Sequence, residues 1–145
     1  MKMKTVVVSL LAVFGLISCA EFNEQRVEQF QDSIWSVDEK IGFSPQVNSD
    51  RPYQIELTVS YLFNKPMTNF PIVVKLIDAS GAVENEYLLS EMFIEGKADC
   101  SGDYCEVVNI LDSDYSFKSS GAYYIEVSQS FGAVPRVSSV RVKLK

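Results

Sequence analysis

From Ile34 to residue 145 apolar side chains recur at every second position rather than at helical spacing, which marks strands that turn one face to a core. In residues 51–63, Tyr53, Ile55, Leu57, Val59 and Tyr61 fall on one face, and Gln54, Glu56, Thr58 and Ser60 on the other. The alternation returns at Phe70, Ile72, Val74 and Leu76. It returns again at Tyr123, Ile125 and Val127 against Tyr124, Glu126 and Ser128, and at Val140, Val142 and Leu144 against Arg141, Lys143 and Lys145. Weaker candidates are residues 39–44, 83–89 and 105–111. Turn chemistry separates them at Asn48-Ser-Asp50, Asn64-Lys65-Pro66, Asp78-Ala-Ser-Gly81, Asp112-Ser-Asp114 and Ser119-Ser-Gly121. The pattern predicts an all-β fold, an antiparallel β-sandwich of about seven strands over residues 34–145. Trp35, at the entry of the first strand, is expected to anchor the packing between the sheets. Residues 19–33 are polar and acid-rich, with Phe22, Val27 and Phe30 at irregular spacing, and are expected to form a flexible lipidated tether, a short helix being the alternative.

Residues 1–18 follow a different pattern. Met1-Lys2-Met3-Lys4 is a positive n-region, and the uncharged apolar run of residues 5–17 has the length of a signal-peptide h-region. It is shorter than the roughly 20 residues a bilayer span needs. Leu16-Ile17-Ser18-Cys19 resembles the lipobox of bacterial lipoproteins, which implies cleavage before Cys19 and attachment of acyl chains, palmitate among them, to Cys19. The competing reading is an ordinary secretory peptide whose apolar run ends near a cysteine. Two or three acyl chains anchor a protein stably where one does not, so the mature protein is expected on a membrane with no helix crossing it.

Charge and composition narrow the function. The chain carries 13 Lys+Arg against 19 Asp+Glu, a formal charge of −6, and the first 18 residues hold two of the cations and none of the acids. The exported part is therefore more acidic still, which argues against nucleic acid as a partner, because phosphates call for clustered Lys and Arg. There is no histidine, which removes the commonest general base, the Ser/His and Cys/His nucleophiles and the usual zinc ligand sets. The protein is read as non-enzymatic, with no metal and no cofactor. Export also bears on Cys100 and Cys105, separated by Ser101-Gly102-Asp103-Tyr104. In an oxidising envelope they are expected to form a disulfide across that turn, two free thiols being the alternative.

Other chemistry is diffuse. Asp99, Asp103 and Glu106 crowd the cysteine loop, with Asp112 and Asp114 beyond, but their spacing follows no calcium loop and reads as solvated acid. A carboxylate pair for glycoside hydrolysis cannot be picked out from 19 acids. Most aromatics sit on core positions. Tyr124 is the exception, sharing a face with Glu126 and Ser128, and with Tyr104 and Tyr115 in loops it offers a stacking platform for a sugar. Arg136, Arg141, Lys143 and Lys145 form a basic stripe, read as protecting a sheet edge against pairing, or alternatively as a docking surface for an acidic partner.

The order of these features resembles the GldH-type gliding-motility lipoproteins of Bacteroidota over most of the exported chain. The resemblance rests on Cys19 and a polar leader, Ser33-Ile-Trp35, Phe43, the strand from Tyr53 to Val59, Pro66, Asn69-Phe70, and Gly121-Ala-Tyr-Tyr-Ile-Glu-Val-Ser-Gln129. The chain departs from that pattern at Ser60, at Lys65 and in residues 97–106, where the cysteine pair stands. The resemblance implies an outer-membrane lipoprotein, on the periplasmic or the surface face, that serves as an accessory or scaffold part of gliding motility and the linked secretion machinery. Its partners would be envelope proteins of that complex and the membrane reached through the lipid anchor. A glycan-binding surface lipoprotein is the alternative. The sequence names no small-molecule ligand.

Overall fold

The computed structural model describes residues 24–63, 70–90 and 98–145. The signal segment and Cys19 lie outside the described residues, as do Lys65, Pro66 and Asn69. In chain order the strands are β1 (Glu24–Gln29), β2 (Ile34–Trp35), β3 (Ile41–Phe43), β4 (Gln46–Val47), β5 (Tyr53–Leu62), β6 (Ile72–Ile77) and β7 (Val83–Leu89). They continue with β8 (Ala98–Ser101), β9 (Tyr104–Tyr115), β10 (Gly121–Ala122), β11 (Tyr124–Gln129), β12 (Val134–Pro135) and β13 (Val137–Leu144). A single 3-10 turn, Gln31–Ser33, links β1 to β2.

Two antiparallel sheets form the body, one of order β1-β13-β5-β9-β8 and one of order β3-β11-β6-β7, and the ribbons β10-β4 and β12-β2 lie beside them. Their inner faces share one core. Ile55, Leu57 and Val59 of β5 and Val140, Val142 and Leu144 of β13 meet Ile72, Val74 and Leu76 of β6 and Ile125 and Val127 of β11, all fully buried. Each such side chain contributes about 1.5–3 kcal/mol on leaving water. The expected β-sandwich is the architecture found.

Aromatic rings close both ends of the core. At one end Trp35 is completely buried, stacked on Phe30 at 5.3 Å and meeting Phe70 edge-on at 5.9 Å. Its indole N–H donates to the Glu39 carbonyl at 2.7 Å, so a buried donor is satisfied. At the other end Phe117 packs edge-on against Tyr53, Tyr115 and Tyr123.

Three expectations are corrected. The tether assigned to residues 19–33 is partly strand: β1 pairs with β13 from Glu24↔Leu144 to Gln29↔Ser139, so the sheet begins well before residue 34. Second, β13 is not an edge. It lies between β1 and β5, and basic residues on it and just past its end are tied to acids, Arg141 to Glu106 of β9, across β5, at 3.6 Å and the Lys145 amine to Glu56 Oε2 of β5 at 2.9 Å. Those long side chains lie over β5, which explains why Glu56 is only 7 % exposed although it faces outward. Third, Asp112-Ser113-Asp114 is not a turn. It lies inside β9, where the register with β5 slips and Asp112 Oδ1 accepts the Asp114 N–H at 2.9 Å, so the local side-chain bond produces a bulge.

Candidate binding groove

The β8–β9 hairpin sets one wall of the site. Gly102, at the first position of the two-residue turn, has φ +61°, the conformation such a tight turn needs and glycine adopts without strain. The turn puts Cys100 opposite Cys105 in register, and a disulfide joins them. The alternation along β9 then turns Cys105 and Val107 into the core and Tyr104 and Glu106 onto the outer face of the five-stranded sheet.

The opposite wall comes from β13 and the end of β1. Between Val137 and Ser139, β13 gains one residue against β5, a bulge at Ser138 that brings Ser138 and Ser139 to the same hollow. Ser138 Oγ donates to the Ser60 carbonyl at 3.1 Å, and the Ser138 carbonyl accepts the Phe30 N–H at 3.0 Å. Beside it the chain turns sharply through two non-glycine residues at positive φ, Asp32 and Ser33, both at 53°. The Ser33 carbonyl accepts the N–H of Arg136 at 2.6 Å, itself at φ 74°, and the Arg136 guanidinium donates to the Leu62 carbonyl. These three are the non-glycine residues with positive φ among the described residues. Each costs about 1–3 kcal/mol, and such strain collects at functional sites.

Between the walls lies a groove of about 410 Å³, within the range of small-molecule sites. Its lining includes the buried Phe30 and the half-exposed Tyr104, together with Ser33, Ser60, Ser138 and Glu106. Glu106 is held in place: Ser60 Oγ donates to Oε1 at 3.1 Å, and Arg141 sits 3.6 Å from Oε2. The lining contains no lysine, arginine or metal-ligating set.

The other nominated residues are dispersed. Tyr124 lies on the outer face of the other sheet and covers Gly42, where a β-carbon would fall 2.7 Å from its ring. It shields bare backbone on one side and stays 39 % exposed. Tyr115 belongs to a polar strut between the sheets. Glu84 of β7 accepts hydrogen bonds from the hydroxyls of Tyr115 at 2.7 Å and Tyr123 at 2.6 Å and from the Lys118 N–H at 3.0 Å. Burial acts to raise the Glu84 carboxyl, but those donors and the Lys118 charge together hold it below the ordinary range. Burial, then the Glu84 carboxylate, pushes the Tyr115 and Tyr123 phenols up, while burial and the Asp112 charge raise Tyr87 to about 12. The acids of the cysteine loop are spread along the hairpin, Asp99 opposite Glu106, and among the described residues no group of three potential ligands is placed to hold a metal ion.

The sequence singles out Phe30, Ser33, Ser60, Tyr104 and Glu106 for separate reasons and gives no sign of their convergence, nor of the part played by Gln29, Ser138 and Ser139. One signal was present: Val137-Ser-Ser-Val140 puts two polar residues between two buried valines, which breaks the alternation and marks a bulge. No protein-family model matches the chain, and no curated protein matches it.

Proposed function

We propose that the protein is an outer-membrane lipoprotein, anchored through Cys19, that acts without catalysis as an accessory or scaffold part of a gliding-motility and secretion complex. The signal segment with its lipobox supports the anchor, and the resemblance to GldH-type lipoproteins supports the machine. The observation that carries a contact role is a row of exposed apolar side chains on β9. Val108 is 47 % and Ile110 59 % exposed on the outer face of the five-stranded sheet, on alternate positions of one strand, with Thr58 and Glu56 of β5 between them and the basic residues of β13. Large side chains exposed together in this way mark a protein contact more than they serve the fold.

The test is genetic. Deletion is expected to impair surface movement or cargo secretion. Restoring the gene with Val108→Asp and Ile110→Asp together is expected to leave the defect in place, although the variant reaches the membrane at the normal level. Normal movement and secretion in the deletion strain would overturn the reading.

A further inference from the structure

We propose that the groove between Tyr104, Glu106 and the bulge at Ser138 is a binding site for a neutral saccharide. Tyr104 would stack on the apolar face of a sugar ring, and Glu106 with the serine hydroxyls would bond its hydroxyl groups. Val108 follows Glu106 on the same face of β9, but neither Val108 nor Ile110 lines the groove, and the inference holds whether or not those two residues dock a protein.

The lining selects this class. A sugar presents one face of C–H groups and a rim of hydroxyls, each both donor and acceptor. The groove answers with one half-exposed aromatic ring, several hydroxyls and a carboxylate whose lone pairs accept from sugar O–H groups. A phosphorylated, sulfated or uronic ligand would bring negative charge against Glu106, and the cation beside that carboxylate, Arg141, is already paired with it. A hard cation would find one carboxylate where it needs several oxygens. A wholly apolar ligand would strip water from Glu106 and the serines without replacing its hydrogen bonds. An extended peptide pairs with a sheet edge, whereas this hollow opens on a sheet face, with β1 and β8 on either side of its strands.

The walls are also fixed before any ligand arrives. The bulge re-aims Ser138, Ser60 and Arg141 orient Glu106, and the disulfide beside Tyr104 ties the hairpin that carries the ring. Of the three positive-φ residues, Ser33 lines the hollow. Fixed polar groups around one aromatic ring lower the ordering cost of binding.

Binding is read by isothermal titration calorimetry, and emission from Trp35, the single tryptophan of the full chain, which stacks on the lining residue Phe30, serves as the check on folding. The experiment titrates the full chain, in a detergent without a sugar headgroup, with cellotetraose, maltotetraose, mannotetraose and chitotetraose, and with tetragalacturonate as the anionic probe. At least one neutral tetrasaccharide is expected to bind with a Kd on the order of 1 mM or tighter. Tyr104→Ala should weaken that binding about tenfold or more and Tyr104→Phe less than about threefold, since the ring is the contact. Glu106→Gln should weaken it as well, while Ile110→Ala should leave it unchanged. Tyr104 and Glu106 are exposed, so unliganded emission from Trp35 should match the parent in every variant. Failure of all four neutral probes, undiminished binding by both Tyr104→Ala and Glu106→Gln, or tighter binding of tetragalacturonate would each overturn the proposal.

Discussion

Replacing Glu84 by glutamine tests whether the sandwich is tied together by a charged strut. The side chain keeps its shape but loses its charge and one of its two acceptor oxygens, which now hold Tyr115, Tyr123 and the Lys118 N–H. Hydrogen bonds to a charged group contribute about 1.5–3 kcal/mol each. Water reaches part of the carboxylate, and the amide keeps one acceptor, so the expected loss at pH 7 is about 1–2 kcal/mol. For a domain of this size that is a Tm lowered by about 4 °C per kcal/mol. The sign with pH follows from linkage. Glu84 titrates below its ordinary value in the folded protein, so its contribution is complete above the unfolded carboxylate range and is lost as pH falls through the depressed folded value. Urea denaturation followed by Trp35 emission should therefore show a gap between parent and Glu84→Gln that is widest near neutrality and closes toward pH 3, with m unchanged. A gap of constant size across that range, or none at pH 7, would refute the strut.

Two further outcomes are expected. Cys19→Ala should move the protein from the membrane to the soluble fraction, because the acyl chains on Cys19 are the proposed anchor; recovery wholly with membranes after a high-salt wash would count against the anchor. Cys100 and Cys105 should be silent to a thiol reagent until reduced, and Cys100→Ser should cost about 2 kcal/mol, the chain-entropy value for so short a loop, checked by the same denaturation assay.

Alternation made β5, β6, β11 and β13 legible because each has a strongly apolar inner face, as in Ile72, Val74 and Leu76, which are all fully buried. β1 was not legible for the opposite reason. Residues 24–29 read Glu-Gln-Arg-Val-Glu-Gln, and what makes them a strand is a ladder of backbone bonds to β13, to which side-chain pattern contributes little. Polar, charged composition suits an outermost strand, where it discourages pairing with other chains, so one composition served two readings and only topology decided between them. The basic stripe failed similarly. Lys and Arg on alternate positions of the last strand look like edge protection until β1 takes the edge, after which Arg141 and Lys145 meet acids that sequence distance hides, Glu106 and Glu56.

The groove was illegible because nothing local produces it. Its carboxylate comes from β9, its hydroxyls from β5, β13 and the turn after β1, and its ring from the rim of a disulfide hairpin. Each residue alone has an ordinary explanation as a surface polar group or a loop aromatic. What joins them is a pair of departures from regularity: the bulge at Ser138 and the three positive-φ residues at 32, 33 and 136. A sandwich of this size could cross from β1 to β2 and from β12 to β13 without strained backbone, given glycine at those places, yet it keeps Asp32, Ser33 and Arg136 there. In the same region Ser60 Oγ bonds Glu106 of the disulfide hairpin directly at 3.1 Å. The bulge thus shapes the hollow proposed as the saccharide site, while the apolar inner faces of β5, β6, β11 and β13 hold the fold.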